Sequence, residues 1–296
     1  MTTKETLRLK AMIGDYPITA ALKKGEVCSD LVSFDFAEVR VAHDAFKRTV
    51  RELEFDVSEL AIVTYLIAKA HGKPLVLLPA AIVGRFQHPF IVYNAERGHL
   101  APGDLAGKRV GVRSYSVTTV TWIRGILQND YGVDLDRVKW VTFEEGHVAE
   151  YRDPPTAVRA PAGKDITQML LDGELDAAVL GATKDARLKP LIPYPDAAAR
   201  DWHRRNGAVQ LNHVVVVKES LSRSNPRAVA EIYRLLAESK GAAGLPKPGD
   251  LDPQPFGVAA NRRNLEVAIE YCHQQRLIPR KLGVDDLFDD VTRNLG

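Results

Sequence analysis

One stretch constrains the fold more than any other, Gly107–Leu127, which reads GKRVGVRSYSVTTVTWIRGIL. Val110 and Val112 alternate in a short run flanked by Gly107 and Gly111, the pattern of a buried strand. After the polar turn Arg113-Ser114-Tyr115-Ser116, the residues Val117, Val120, Ile123 and Leu127 recur at helical spacing. A strand running straight into a helix, repeated along a chain, means an α/β protein with mostly parallel sheets. The helix start is crowded with Ser114, Ser116, Thr118 and Thr119. Its free N–H groups, the positive end of its dipole and these hydroxyls suit an anion, and Arg113 at the strand tip can add a forked charge. Plain capping by Ser116 or Thr118 accounts for the same residues.

The same alternation continues on both sides. Leu7–Ile13 reads as a strand that ends at the turn Gly14-Asp15-Tyr16-Pro17. Phe34–Val39 is a second strand, and Ala45–Leu53 an amphipathic helix. Phe55–Val57 is a short strand, followed by Ser58 as N-cap and Glu59 in the first turn of an apolar helix, Leu60–Ala70. Leu75–Val83 is apolar throughout, a strand buried on both faces. Gly84-Arg85-Phe86-Gln87-His88-Pro89 interrupts it before Phe90–Tyr93 resumes. Further strands are expected at Lys139–Phe143, Ala177–Leu180 (ending at Gly181) and Val214–Val217. Helices are expected at Ile166–Leu171, Ala197–Arg205, Arg227–Lys240, Asn261–Gln275 and Asp285–Leu295. The long polar, Pro-rich segment Glu144–Gly163 has no clear period, and loops of that length inside a domain are often functional. Two lobes follow, residues 1–93 plus 213–296 and residues 94–212, with crossovers near Tyr93–Ala95 and Asn212–Val214. Ligands in such sheets bind beyond the C-terminal strand ends. Here those ends are Gly14–Tyr16, Ser58-Glu59, Gly84–His88, Arg113–Thr119 and Gly181.

Composition narrows the partners. Residues are 45% hydrophobic and 26% charged with a formal net charge of +2, and no stretch gathers Lys and Arg among aromatics, so a nucleic-acid surface is not expected. No apolar run reaches membrane-spanning length. Cys28 and Cys272 are far apart and lack metal-type spacing, so two free thiols are expected, with a disulfide as the alternative. Met1–Lys10 has no apolar signal core, so the expectation is a cytoplasmic chain. A homo-oligomer stays open. His88, beside Arg85 at a strand interruption, is a structural residue or a cleft acid. His213 is a hinge hydrogen-bond donor or a cleft acid. Phe86, Tyr115 and Trp122 form an aromatic wall or belong to the core. His43, His71, His99, His203 and His273 read as surface or capping residues. No pair of His, Cys or carboxylates has metal-ligand spacing on a helix.

Several local runs carry a family likeness: Val57-Ser58-Glu59-Leu60-Ala61, Gly84-Arg85-Phe86 with His88, Asp104–Val112 (DLAGKRVGV), Trp122-Ile123-Arg124-Gly125 and Tyr131-Gly132-Val133. Over nearly its whole length the chain resembles the 4,5-dihydroxyphthalate decarboxylase family. The resemblance implies the type II periplasmic-binding-protein fold, two α/β lobes with a ligand cleft between them. It also implies a cofactor-free decarboxylase acting on a small hydroxylated aromatic carboxylate to give protocatechuate; no metal is expected, and one held by scattered loop residues is the alternative left open. Such chemistry needs a base near the phenol, an acid over the ring carbon and cationic donors for the carboxylate that stays. The expected roles are Glu59 or His213 as base and His88 as acid. Asp15, Tyr16, Ser58, Arg85, Phe86, Arg113, Ser114, Tyr115, Ser116, Thr118, Thr119, Trp122 and Gly181 are expected around the substrate. The alternative is a substrate-binding protein that presents a small anion to a transporter or sensor.

Overall fold

Two sheets divide the strands. The computed structural model describes residues 6–296, so Met1–Glu5, part of the leading segment read above for a signal, lies outside the described residues. The strands are β1 Leu7–Met12, β2 Val32–Phe36, β3 Val57–Ala61, β4 Leu75–Gly84, β5 Ile91–Asn94, β6 Arg109–Val112, β7 Lys139–Thr142, β8 Ala157–Arg159, β9 Ala177–Val179, β10 Leu188–Pro190 and β11 Leu211–Lys218. The helices are α1 Ala20–Lys23, α2 Ile62–Ala70, α3 Thr118–Tyr131, α4 Ile166–Asp172, α5 Pro195–Asn206, α6 Glu219–Ser224, α7 Pro226–Ala242 and α8 Val258–Gln274. The first sheet has the order β2-β1-β3-β11-β4 and the second β10-β5-β9-β6-β7-β8.

Both sheets are mixed rather than mostly parallel. β11 runs antiparallel to both of its neighbours, and β5 is antiparallel to β9 and β10. The remaining pairs are parallel. Alternation along β11 shows why it sits centrally. Val214 and Val216 face the larger core shared with α2, α3 and α8, while Val215 and Val217 face the core under α7. Branched residues thus bury both of its faces, while β3 and β4 pair its two edges.

Three readings shift here. Ser58 and Glu59 do not open a helix. They lie in β3, and α2 begins after Ala61, which offers no side-chain cap. The polar pair hid a strand that is buried at every position. Ile91–Asn94 pairs in the second sheet, so the chain first passes between sheets through residues 85–90, ahead of Tyr93. At the far end, 285–295 holds only short 3-10 turns instead of a helix, with Asp289 binding the backbone N–H groups of Val291 and Thr292. The short elements β8, β10 and α6 carried no period long enough to read.

The family-like run Trp122–Gly125 is an architectural joint. The Trp122 indole donates to the backbone carbonyl of Leu211, 2.8 Å away, and its ring stands edge-on to Trp202 and Tyr271. A Cβ on Gly125 would lie 1.9 Å from the Tyr271 ring, so only glycine lets α3 lie this close to α8. Arg124 is fully buried, stacked 3.5 Å over the Tyr115 ring and donating to the Tyr115 carbonyl and the Gln275 side chain.

Candidate functional site

A cleft of about 340 Å³ is lined by elements of both sheets. His43 and Phe46 come from the turns after β2, Ala61 from the end of β3, and Arg85 from the passage after β4. Arg113 and 117–120 come from the β6–α3 junction, His147 from the segment after β7, 179–181 from the tip of β9, and Asn212 and His213 from β11. All are strand ends or the loops that follow them, where parallel α/β sheets place ligands.

The register of β11 on β3 explains the central pair. Val215 lies opposite Glu59 and His213 opposite Ala61, so Glu59 and His213 are diagonal neighbours on one face. On its other side β11 changes register against β4 around His213 and Val214. Irregularities of this kind re-aim side chains beside functional sites. His213 Nδ1 lies 2.5 Å from Glu59 Oε1. The same oxygen accepts from the Tyr16 hydroxyl at 2.6 Å, and Glu59 Oε2 accepts from the Gly14 N–H at 2.7 Å. Glu59 itself is sealed from solvent, whereas the His213 side chain is 21% exposed. The carboxylate is thus fully hydrogen-bonded, and it fixes the imidazole of a residue that lines the cleft. Burial and the Glu59 charge raise the Tyr16 phenol well above its ordinary range, so it stays a donor to Glu59.

Cationic and donor groups complete the wall. Arg85 rests on the Phe90 ring at 4.6 Å, and burial lowers its pKa from the ordinary value. Arg113 makes one ion pair among the described residues, to Glu144 at 3.3 Å, and lines the cleft with its fork. The first turn of α3 contributes Thr118 and Thr119, with Val117 rather than Ser116 or Thr118 in the capping position and no side-chain cap. Its leading N–H groups therefore remain for a ligand. Thr118 Oγ1 accepts from the Val63 N–H at 3.2 Å, tying α3 to α2. Replacing Arg113 by alanine is expected to weaken binding of a carboxylated ligand by about 1.5–3 kcal/mol, the worth of a charged hydrogen bond. Titration calorimetry reads this directly, and unchanged affinity would remove Arg113 from the site.

Two cleft imidazoles escaped the sequence reading. His43, read above as a surface or capping residue, lines the cleft, and its pKa is lowered by burial and by Arg113, partly offset by Asp44 and Glu144. His147 sits in the long polar segment after β7, where no local pattern marks it. Phe46 presents its ring edge-on to both His147 and His213, with centroids 5.5 and 5.2 Å apart.

Other expected residues are elsewhere. His88 is buried outside the cleft wall, edge-on to Phe86 and Trp202, and among the described residues neither ring nitrogen has a hydrogen-bond partner. It cannot reach a ligand there. Burial, and to a lesser degree Arg205, lowers its pKa to about 4. Phe86 packs on Trp202 and His203, Tyr115 under Arg124, and Trp122 in the joint described above, so none of the three is a ring wall. Asp15 points to solvent and pairs with Lys23. Ser58 bonds Thr49 and its own neighbour's carbonyl beneath the sheet. Ser114 and Ser116 are buried and do not line the cleft, whereas Arg85, Arg113, Thr118, Thr119, Gly181 and His213 do. Among the described residues no group of His, Cys, Asp or Glu is arranged to hold a metal ion.

The buried neutral His88 makes a pH prediction. Its folded pKa lies below the ordinary histidine value, so the unfolded chain binds the proton first as pH falls. Stability is complete above about 6.5 and declines through the window down to about 4. His88→Leu should flatten that slope of melting temperature against pH while leaving activity per folded molecule intact. An unchanged slope, or lost turnover in a folded variant, would contradict this placement.

No family model matches the chain. It is 28% identical to a 4,5-dihydroxyphthalate decarboxylase of Comamonas testosteroni over 258 residues, 80% of this chain and 76% of that protein. It is 31% identical to a 4,5-dihydroxyphthalate decarboxylase of Pseudomonas putida over 212 residues, 67% of this chain and 82% of that protein. In structure it is similar to the alkanesulfonate-binding protein SsuA of Xanthomonas axonopodis pv. citri, solved with MOPS bound. That likeness has a TM-score of 0.58 at 11% identity, over 98% of this chain and 99% of the other. It shows the two-lobed periplasmic-binding-protein-like α/β fold.

Proposed function

The chain belongs to the 4,5-dihydroxyphthalate decarboxylase family, and from that premise we propose that its cleft removes carbon dioxide from a hydroxylated aromatic dicarboxylate such as 4,5-dihydroxyphthalate, giving protocatechuate. The observation that carries the reading is the Glu59–His213 pair, a buried carboxylate fixing an imidazole at the wall of a cleft that also holds Arg85 and Arg113.

The chemistry follows from what that pair can do. His213 takes the proton of the ring hydroxyl para to the departing carboxylate, and Glu59 stabilises the imidazolium that forms. Electron density from the phenolate oxygen then passes to the para carbon, which binds a proton. The carbon–carboxylate bond breaks, its electron pair returns to the ring, and carbon dioxide leaves. Arg85, Arg113 and the free N–H groups of α3 hold the carboxylate that stays. The apolar lining from Phe46, Ala61, Val120 and Val179 favours loss of the charged group as a neutral molecule. With His88 in the core, the proton for the ring carbon comes from a group lining the cleft.

The setting we propose is aromatic-acid breakdown in the cytoplasm, where the exposed Cys28 and the buried Cys272 stay reduced. Among the described residues no helix is long and apolar enough to cross a membrane. Incubation with 4,5-dihydroxyphthalate should release one carbon dioxide per protocatechuate formed. Tight binding of that acid without release would replace the enzyme reading by that of a binding protein.

A further inference from the structure

The segment after β7 leaves the second sheet and docks on the first lobe. Glu145 pairs with Lys47 at 2.9 Å and with Arg51 at 3.2 Å. Arg51 also donates to the backbone carbonyls of Gly146 and His147, both at 2.8 Å. Glu150 pairs with Lys73 at 2.7 Å. Between these ties His147 turns inward. Its Nδ1 is 2.8 Å from the Thr64 hydroxyl of α2, its ring lies against Phe46, and it lines the cleft.

Several contacts from the first lobe thus hold one imidazole of the second at the cleft, with Nδ1 engaged and, among the described residues, no hydrogen-bond partner on Nε2. Burial first, then Arg113, Lys47, His43 and Arg51, lowers its pKa to about 3. The ring is therefore neutral in any near-neutral solution. A neutral imidazole fixed at Nδ1 presents a single complement at Nε2. If Nδ1–H donates to Thr64, Nε2 accepts; if Thr64 donates to Nδ1, Nε2–H donates. A hydroxyl satisfies either case. A carboxylate is served by only one of the two tautomers, and the charged Arg85 and Arg113 in the same cleft hold it more strongly than an uncharged ring.

We propose that His147 is a specificity-determining residue that hydrogen-bonds the second ring hydroxyl, the one that His213 does not deprotonate, and so selects ortho-dihydroxylated acids over monohydroxylated ones. The proposal rests on the decarboxylase reading for its substrate class. A partly buried polar group left without its partner is costly, so a site built on such a bond rejects the analogue that lacks it.

The test compares 4,5-dihydroxyphthalate with 4-hydroxyphthalate, by kcat/KM and by calorimetric affinity, in the wild type, His147→Phe and His147→Gln. The wild type should prefer the diol by about 10²-fold or more. His147→Phe should cut that preference at least tenfold, mostly through loss on the diol. His147→Gln, which keeps a neutral donor and acceptor, should recover part of it. A preference unchanged in the Phe variant, or equal in the Phe and Gln variants, overturns the assignment. If the wild type releases no carbon dioxide from either acid, the decarboxylase reading fails. The ratio of the two affinities then still decides the role of His147.

Discussion

His213→Ala should lower turnover by roughly 10²–10⁴-fold, the range expected when a positioned acid–base group is removed. Affinity for the substrate should change far less, because a group that moves a proton in the transition state contributes little to ground-state binding. His213 is a suitable residue for this test because its side chain is partly open to the cleft. Its removal also leaves Glu59 with the Tyr16 hydroxyl and the Gly14 N–H as partners, so the buried carboxylate is not orphaned. Glu59→Gln should reduce turnover in the same direction, since the imidazolium loses its counter-charge. Turnover within threefold of wild type in a folded His213→Ala protein would end the assignment of the base.

The second large effect is on stability. Trp122→Ala should cost about 3–5 kcal/mol, as for truncation of a large buried aromatic. Trp122 is 1% exposed, wedged between Trp202 and Tyr271, and its indole N–H satisfies the carbonyl of Leu211 where β11 begins. The variant therefore loses packing and leaves a buried acceptor unpaired. Denaturant unfolding reads the loss, and activity per folded molecule should stay close to wild type. Lost turnover in a variant that still unfolds at the wild-type midpoint would return Trp122 to the cleft wall.

How much of this was legible depends on the range over which each feature is encoded. The strand–turn–helix at Gly107–Leu127 announces itself through local period, and β6 and α3 fall where that period puts them. Glu59 was noticed for the wrong reason. Ser-Glu ahead of an apolar run has the local grammar of a helix start, and only pairing with β1 and β11 makes it a strand. His88 drew attention by breaking an apolar run, yet the break marks the passage between sheets, which sends Arg85 to the cleft and His88 into the core. His147 was invisible because its place depends on Arg51 and Thr64, both far away in sequence. The family-like Trp122–Gly125 run was legible as a motif, but its role in holding α3 to α8 needed the packing.

The position of β11 has a consequence for how the molecule is made. β11 lies between β3 and β4, and its sequence is synthesised only after the whole second sheet. Until Lys218 leaves the ribosome, β3 has one edge without a neighbour, and β4, outermost in the sheet and apolar along its length, lacks the strand it pairs with among the described residues. The second sheet, whose strands all fall between Ile91 and Pro190, needs nothing that comes later to complete its ladder. The middle of the chain is therefore the part able to fold first. The N-terminal third must wait, a nascent stretch that chaperones would be expected to shield.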